Sequence, residues 1–243
     1  MIFSALLAAI VLVAAFVQGT AGFGFMFFAL PLAALVLDFK TAVVTLGLLA
    51  QALNFMILWQ HGFRADWRFV AVLTAWALPG IPLGVWALGS LPVTWLQGVL
   101  GVLLVAFSLY RWFARPVPRK LGRGWTAAAG LTAGALGGAM FTQGPPVLVY
   151  VSLMPWGKDR TKATLVGFFF VTGLVILPYQ AFQGLVTTQT LTLAGWALPA
   201  LAAGVLAGRM LYLRLGEGAY KQLYMALIFG LGLLLISKGC GVV

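Results

Sequence analysis

The chain has 243 residues, 63% of them hydrophobic and only 8% charged, with a mean hydropathy of +1.06. Soluble domains carry about 25% charged residues, so 15 Lys+Arg and 4 Asp+Glu cannot coat a globule of this size. A water-soluble enzyme is excluded, and so is a nucleic-acid binder: the net charge of +11 comes from short loops between apolar runs, where the positive-inside rule already places basic residues.

From Ile2 to Val17 the chain is apolar, with no preceding Lys or Arg and no convincing small-x-small cleavage signal. This reads as a retained membrane segment rather than a removed signal peptide. Apolar segments then follow one another over roughly 2–37, 41–59, 69–88, 95–113, 125–154, 163–182, 190–208 and 219–236, the pattern of an all-α polytopic membrane protein. His61 sits in a loop beside Gly62 and reads as an interface residue. The longest polar interruption, Ala114 to Gly124, contains Pro116, Pro118, Gly122 and Gly124 and reads as a cytoplasmic linker between two halves, 1–113 and 125–243. Cys240 is the only cysteine, so the sequence offers no disulfide framework and no Cys-based metal site.

The halves are alike. Trp76-Ala77-Leu78-Pro79 returns as Trp196-Ala197-Leu198-Pro199 at an offset of 120, and at the same offset Gly84-Val85 matches Gly204-Val205 and Gln60 matches Gln180. Each half also opens on a glycine-rich break followed by proline, at 19–31 and at 134–146. Eight full crossings would divide the basic residues seven against eight, which orients nothing. If 2–37 and 125–154 instead enter and return, thirteen basic residues collect on one side and only Lys40 and Lys238 remain on the other. The sequence therefore predicts two inverted-topology repeats, each a re-entrant or broken hairpin plus three transmembrane helices. Both termini are then expected on the non-cytoplasmic side.

No Asp, Glu, Lys or Arg falls in the middle of an apolar segment, which argues against a cation substrate and against a buried-carboxylate proton relay. The interior polar residues are neutral. Gln18, Gly19, Thr20, Gly22 and Gly24 mark the first break, and Thr142, Gln143, Gly144, Pro145 and Pro146 the second. A helix that starts inside the membrane presents unpaired N–H groups and about half a positive charge, so it attracts an anion without a buried cation. These residues are the candidate substrate site, although glycines such as Gly134 and Gly138 equally suit helix packing. Gln51 and Asn54 share one helix face and line a cavity or bond across helices. Lys40 and Lys162 begin the segments after the hairpins, as vestibule attractors of an anion or as interface anchors. No metal or other cofactor is called for.

At these residues the chain resembles the TauE/SafE-type sulfite exporters, within the sulfonate and organosulfur anion permeases. The resemblance rests on Gly19 to Pro31 and Gly134 to Pro146, and on Leu78-Pro79…Gly84 and Leu198-Pro199…Gly204. It implies a bacterial inner-membrane permease for small anions such as sulfite, thiosulfate or sulfoacetate. Phe23, Phe25, Phe27 and Phe28 depart from the smaller residues usual there. The expected function is alternating-access transport of a small anion in the bilayer, with oligomeric state open. Carboxylate uptake coupled to a cation, a non-transporting membrane subunit and an intramembrane transferase are the competitors. The transferase lacks an evident nucleophile with its base.

Overall fold

Glycine and proline decide where the helices stop. The computed structural model describes residues 2–113, 122–214 and 219–239, so most of the linker and Cys240 lie outside the described residues. The described chain is helical: α1 (Ile2–Ala21), α2 (Phe25–Ala33), α3 (Phe39–Gln60), α4 (Trp67–Ala77), α5 (Gly80–Ser90), α6 (Val93–Phe113), α7 (Arg123–Met140), α8 (Gly144–Ser152), α9 (Lys158–Phe182), α10 (Thr188–Arg214) and α11 (Ala219–Gly239). The expected breaks are present between α1 and α2 and between α7 and α8. At the first, Gly22 and Gly24 take φ of +81° and +109°, which side chains with a Cβ rarely adopt. At the second, Phe141 takes φ +54°, and Pro145 and Pro146 open α8, where a missing N–H costs nothing. Asp38 and Asp66 cap α3 and α4 by accepting from the amides of Thr41 and Phe69, each at 3.1 Å.

Among the described residues, α3, α6, α9 and α10 are long and apolar enough to cross a membrane. The pair α4–α5, bent by 52°, makes a fifth. Their outer faces expose Trp59, Trp86, Trp95, Trp196 and Phe182, an apolar exterior suited to lipid.

The helices pack by close backbone approach. On α10, Gly204 faces Leu12 O and Gly208 faces Phe16 O of α1, so α1 and α10 run in the same direction. On α7, Gly130, Gly134 and Gly138 face Leu73 O, Ala77 O and Ile81 O, so α7 runs along α4–α5 in the same way. Gly101 of α6 faces Gly232 O of α11. Small residues permit such contact because lipid supplies no hydrophobic drive between helices. A Cβ at Gly84 would run into Ala135 O. We expect Gly84→Ala to cost about 1–3 kcal/mol, read as a lower melting temperature in detergent, whereas Gly89→Ala, with open space at its Cβ, leaves it unchanged.

One end of the bundle is fixed by polar contacts. Arg160 at the start of α9 pairs with Asp66 at the start of α4 at 2.6 Å. Tyr110 at the end of α6 meets Ser152 at 3.1 Å, and Thr126 at the start of α7 meets Tyr150 at the end of α8 at 2.8 Å. The α7–α8 unit thus returns to the end it left. At the opposite end Lys40 donates to Gly89 O, in the last turn of α5, at 2.8 Å.

Candidate functional site

The two helix breaks meet at one small cavity of about 30 Å³, lined by Gln18, Phe23, Gly24, Met26, Phe27, Ala50, Asn54, Phe141, Thr142, Gln143, Gly144 and Phe169. That is room for water or for an anion of a few heavy atoms. No carboxylate, lysine or arginine lines it. Its electrostatics come from the starts of α2 and α8, each equivalent to about half a positive charge.

The two starts differ in what they offer. The first amides of a helix have no acceptor within it. In α2 the Phe25 amide donates to Gln18 Oε1 at 2.9 Å and the Phe28 amide to Gly24 O at 3.2 Å. That leaves the amides of Met26 and Phe27, both cavity residues, as the donors of this end. In α8, Pro145 and Pro146 carry no N–H, so only Gly144 and Val147 remain among the first four positions.

Gln18 acts as a clasp. It accepts from Phe25 and donates through Nε2 to Asn54 Oδ1 at 2.9 Å, tying the α1–α2 break to α3. Asn54 thereby has its oxygen occupied, and its amide nitrogen stays available to the cavity it lines. Across the cavity, Gln143 donates to Thr172 Oγ1 at 3.2 Å while its Oε1 is buried without a partner. Thr172 passes its own hydrogen to Phe168 O at 2.7 Å, and Thr142 makes a long 3.4 Å bond to Leu136 O.

Of the residues expected at the site, Gln18, Gly24, Asn54, Thr142, Gln143 and Gly144 line the cavity together. The others lie nearby with different partners. Thr20 donates to Phe16 O and Val17 O of its own helix. Gly19 packs against Val205 O and Gly208 of α10. Gly22 lies under the side chain of Lys162, and Gln51 donates to Phe170 O at 3.0 Å. Pro145 lines an apolar groove of about 400 Å³ between α6, α7 and α8. Met26, Ala50, Phe141 and Phe169 also line the cavity, and Thr172 accepts from Gln143 behind it; apolar residues among apolar neighbours, and a threonine within a helix, carry no signal in the sequence.

The two candidate vestibule lysines also differ. Lys40 caps α5 at an exposed position, whereas Lys162 is buried and donates to Gly19 O at 2.6 Å. Near Lys162, an open depression of about 680 Å³ is lined by Trp59, Gln60, His61, Gly62, Arg64, Asp159, Arg160 and Ala163. Burial, then the positive charges of Lys162 and Arg209, hold the His61 imidazole below its usual pKa against the opposing pull of Asp159. The hydrogen bond from Arg160, then that from the Phe69 amide, keeps Asp66 below the usual carboxylate range.

A family model described as sulfite exporter TauE/SafE matches residues 7–235. The chain belongs to the TauE/SafE sulfite exporter family. Membership and the apolar helices make it a multi-pass membrane protein of a family that exports sulfite and related sulfur anions. Its partners are accordingly a small anion and membrane lipid. No curated protein and no solved structure matches the chain.

Proposed function

We propose that this TauE/SafE protein carries a small sulfur oxyanion or sulfonate through the bacterial inner membrane, binding it at the cavity between the two breaks. The observation that carries the reading is the meeting of two helix N-termini at a cavity without a fixed charge. An anion there is neutralised by amide dipoles rather than by a buried cation, which allows it to leave again. The Met26 and Phe27 amides, the Asn54 amide and the Gly144 amide are the donors, joined by Thr142 and Gln143 after they turn from their present partners. Phe23, Phe27 and Phe169 set the size of the site and favour an ion with a soft or apolar part.

The two halves, 1–113 and 125–243, act as inverted repeats that alternate access. The matched pairings of α1 with α10 and of α7 with α4–α5, and the return of α7–α8 to its starting end, support this. The end bearing Arg64, Arg160, Arg111 and Arg209 is the cytoplasmic one in this reading, and both chain termini face the other side. An inside-negative potential drives a monovalent anion outward by about 2.3 kcal/mol per 100 mV, so export runs without a coupled ion.

Purified protein in liposomes tests this against sulfite, thiosulfate, sulfoacetate and acetate. We expect saturable efflux of at least one sulfur anion above protein-free vesicles, increasing with an inside-negative potential. Flux of acetate alone, dependent on a cation gradient, would replace the reading with carboxylate uptake. Flux of none of the four would remove it.

A further inference from the structure

Every hydroxyl in the wall of the apolar groove between α6, α7 and α8 is already paired. Tyr110 meets Ser152, Tyr150 meets Thr126, and Thr132 donates to Ala128 O at 2.7 Å. The remaining wall is apolar, with Leu103, Phe107, Val149 and Leu153 in it. A polar occupant would leave its own donors and acceptors unanswered there, so the groove of about 400 Å³ suits a hydrocarbon.

Its depth fits one leaflet. From Tyr110 to Leu103 along α6 is about 10 Å, against roughly 15 Å for half of a bilayer's hydrocarbon core. Leu103 and Ala106 also line a second groove, of about 610 Å³, that follows α6 onward to Trp95. The shallow end carries charge. Arg111 follows Tyr110 at the end of α6, one turn past Phe107, and Arg123 opens α7 two residues before Trp125. Neither arginine pairs with a carboxylate among the described residues, and Arg111 Nε is buried without an acceptor. Trp125, which lines this end and is 65% exposed, has the place of a tryptophan at headgroup level.

We propose that the groove is a lipid site: it holds one acyl chain of an anionic phospholipid from the leaflet at the arginine-rich end, and Arg111 and Arg123 meet the phosphate. The seated chain backs the wall of the substrate cavity. Pro145 and Pro146 line the groove where Gly144 lines the cavity. Phe107 of the groove packs on Phe23 and Phe27 of the cavity, with ring centroids 6.1 and 5.4 Å apart. The site needs only a bilayer and stands whether or not the cavity carries an anion.

The protein is reconstituted in vesicles of equimolar phosphatidylglycerol and phosphatidylethanolamine with identical chains, then taken up in mild detergent. Native mass spectrometry reads the lipid that stays bound. We expect one phospholipid per chain, with phosphatidylglycerol retained about tenfold over phosphatidylethanolamine, as two arginines near a headgroup provide. Ala128→Trp starts from an exposed position on the wall, fills the groove and removes the bound lipid. Should it fail to fold, Ala106→Trp, exposed on the facing wall, carries the same expectation. Arg111→Gln combined with Arg123→Gln brings the two lipids to within twofold of parity. A parent that retains no lipid, or both lipids equally, overturns the proposal. So does lipid that survives in either well-folded tryptophan variant, a preference that survives loss of both arginines, or a second copy of the chain retained in place of lipid.

Discussion

Thr142→Val combined with Gln143→Leu is expected to reduce anion flux at least a hundredfold while the protein still folds. Both residues are almost wholly buried and both line the cavity. Hydrogen bonds to a charged partner contribute about 1.5–3 kcal/mol each, and each 1.4 kcal/mol is tenfold. Two lost donors therefore remove most of the affinity. The fold loses the long Thr142 bond and the Gln143–Thr172 bond, but leucine also removes an amide oxygen that is buried without a partner. Deleting an unsatisfied polar atom offsets much of the loss. The measurements are flux in proteoliposomes and thermal melting in detergent. Parental flux in a well-folded double variant places the anion elsewhere.

Gln18 gives the second large effect, and two substitutions separate its roles. Gln18→Leu leaves the Phe25 amide and Asn54 Oδ1 without their partners, at about 1–3 kcal/mol for each orphaned group. We expect a clear fall in melting temperature together with loss of flux. Gln18→Glu keeps the acceptor for Phe25 and nearly the same shape; it loses the donor to Asn54 Oδ1, a loss made good once the Asn54 amide turns its Nδ2 to the new carboxylate, and it fixes that carboxylate at the start of α2. A built-in anion competes with the transported one, so flux disappears with a much smaller change in melting temperature. Flux retained in Gln18→Glu would show that the start of α2 is not where the cargo binds.

The helices and both breaks are legible in the sequence because glycine, proline and long apolar runs act locally. The cavity is partly legible for the same reason, since residues at a break inside the membrane have few places to go. What distinguishes Gln18 from Thr20 is not local. Gln18 finds Asn54 thirty-six residues away, while Thr20 turns back onto its own helix. The repeated Trp-Ala-Leu-Pro shows the limit plainly. At Pro79 the chain bends by 52° between α4 and α5, yet Pro199 lies inside an unbroken α10. The following residue differs, Gly80 against Ala200, and Gly80 is pressed against the backbone of α7. The same tetrapeptide is straightened or bent by its neighbours, which a reading of the chain alone does not contain. Lys162 is a third case: its place after a hairpin is evident, and its reach of 143 residues back to Gly19 is not.

The glycine seams have a mechanical corollary. With α1 riveted to α10, and α7 to α4–α5, through backbone touching backbone, neither long arm can slide past its neighbour without tearing many contacts at once. An alternation of access that leaves these seams intact would fall to the short limbs α2 and α8, pivoting on three-residue joints. A carrier so built would work less like two shells rocking and more like a pair of finger-tips flexing from stiff knuckles.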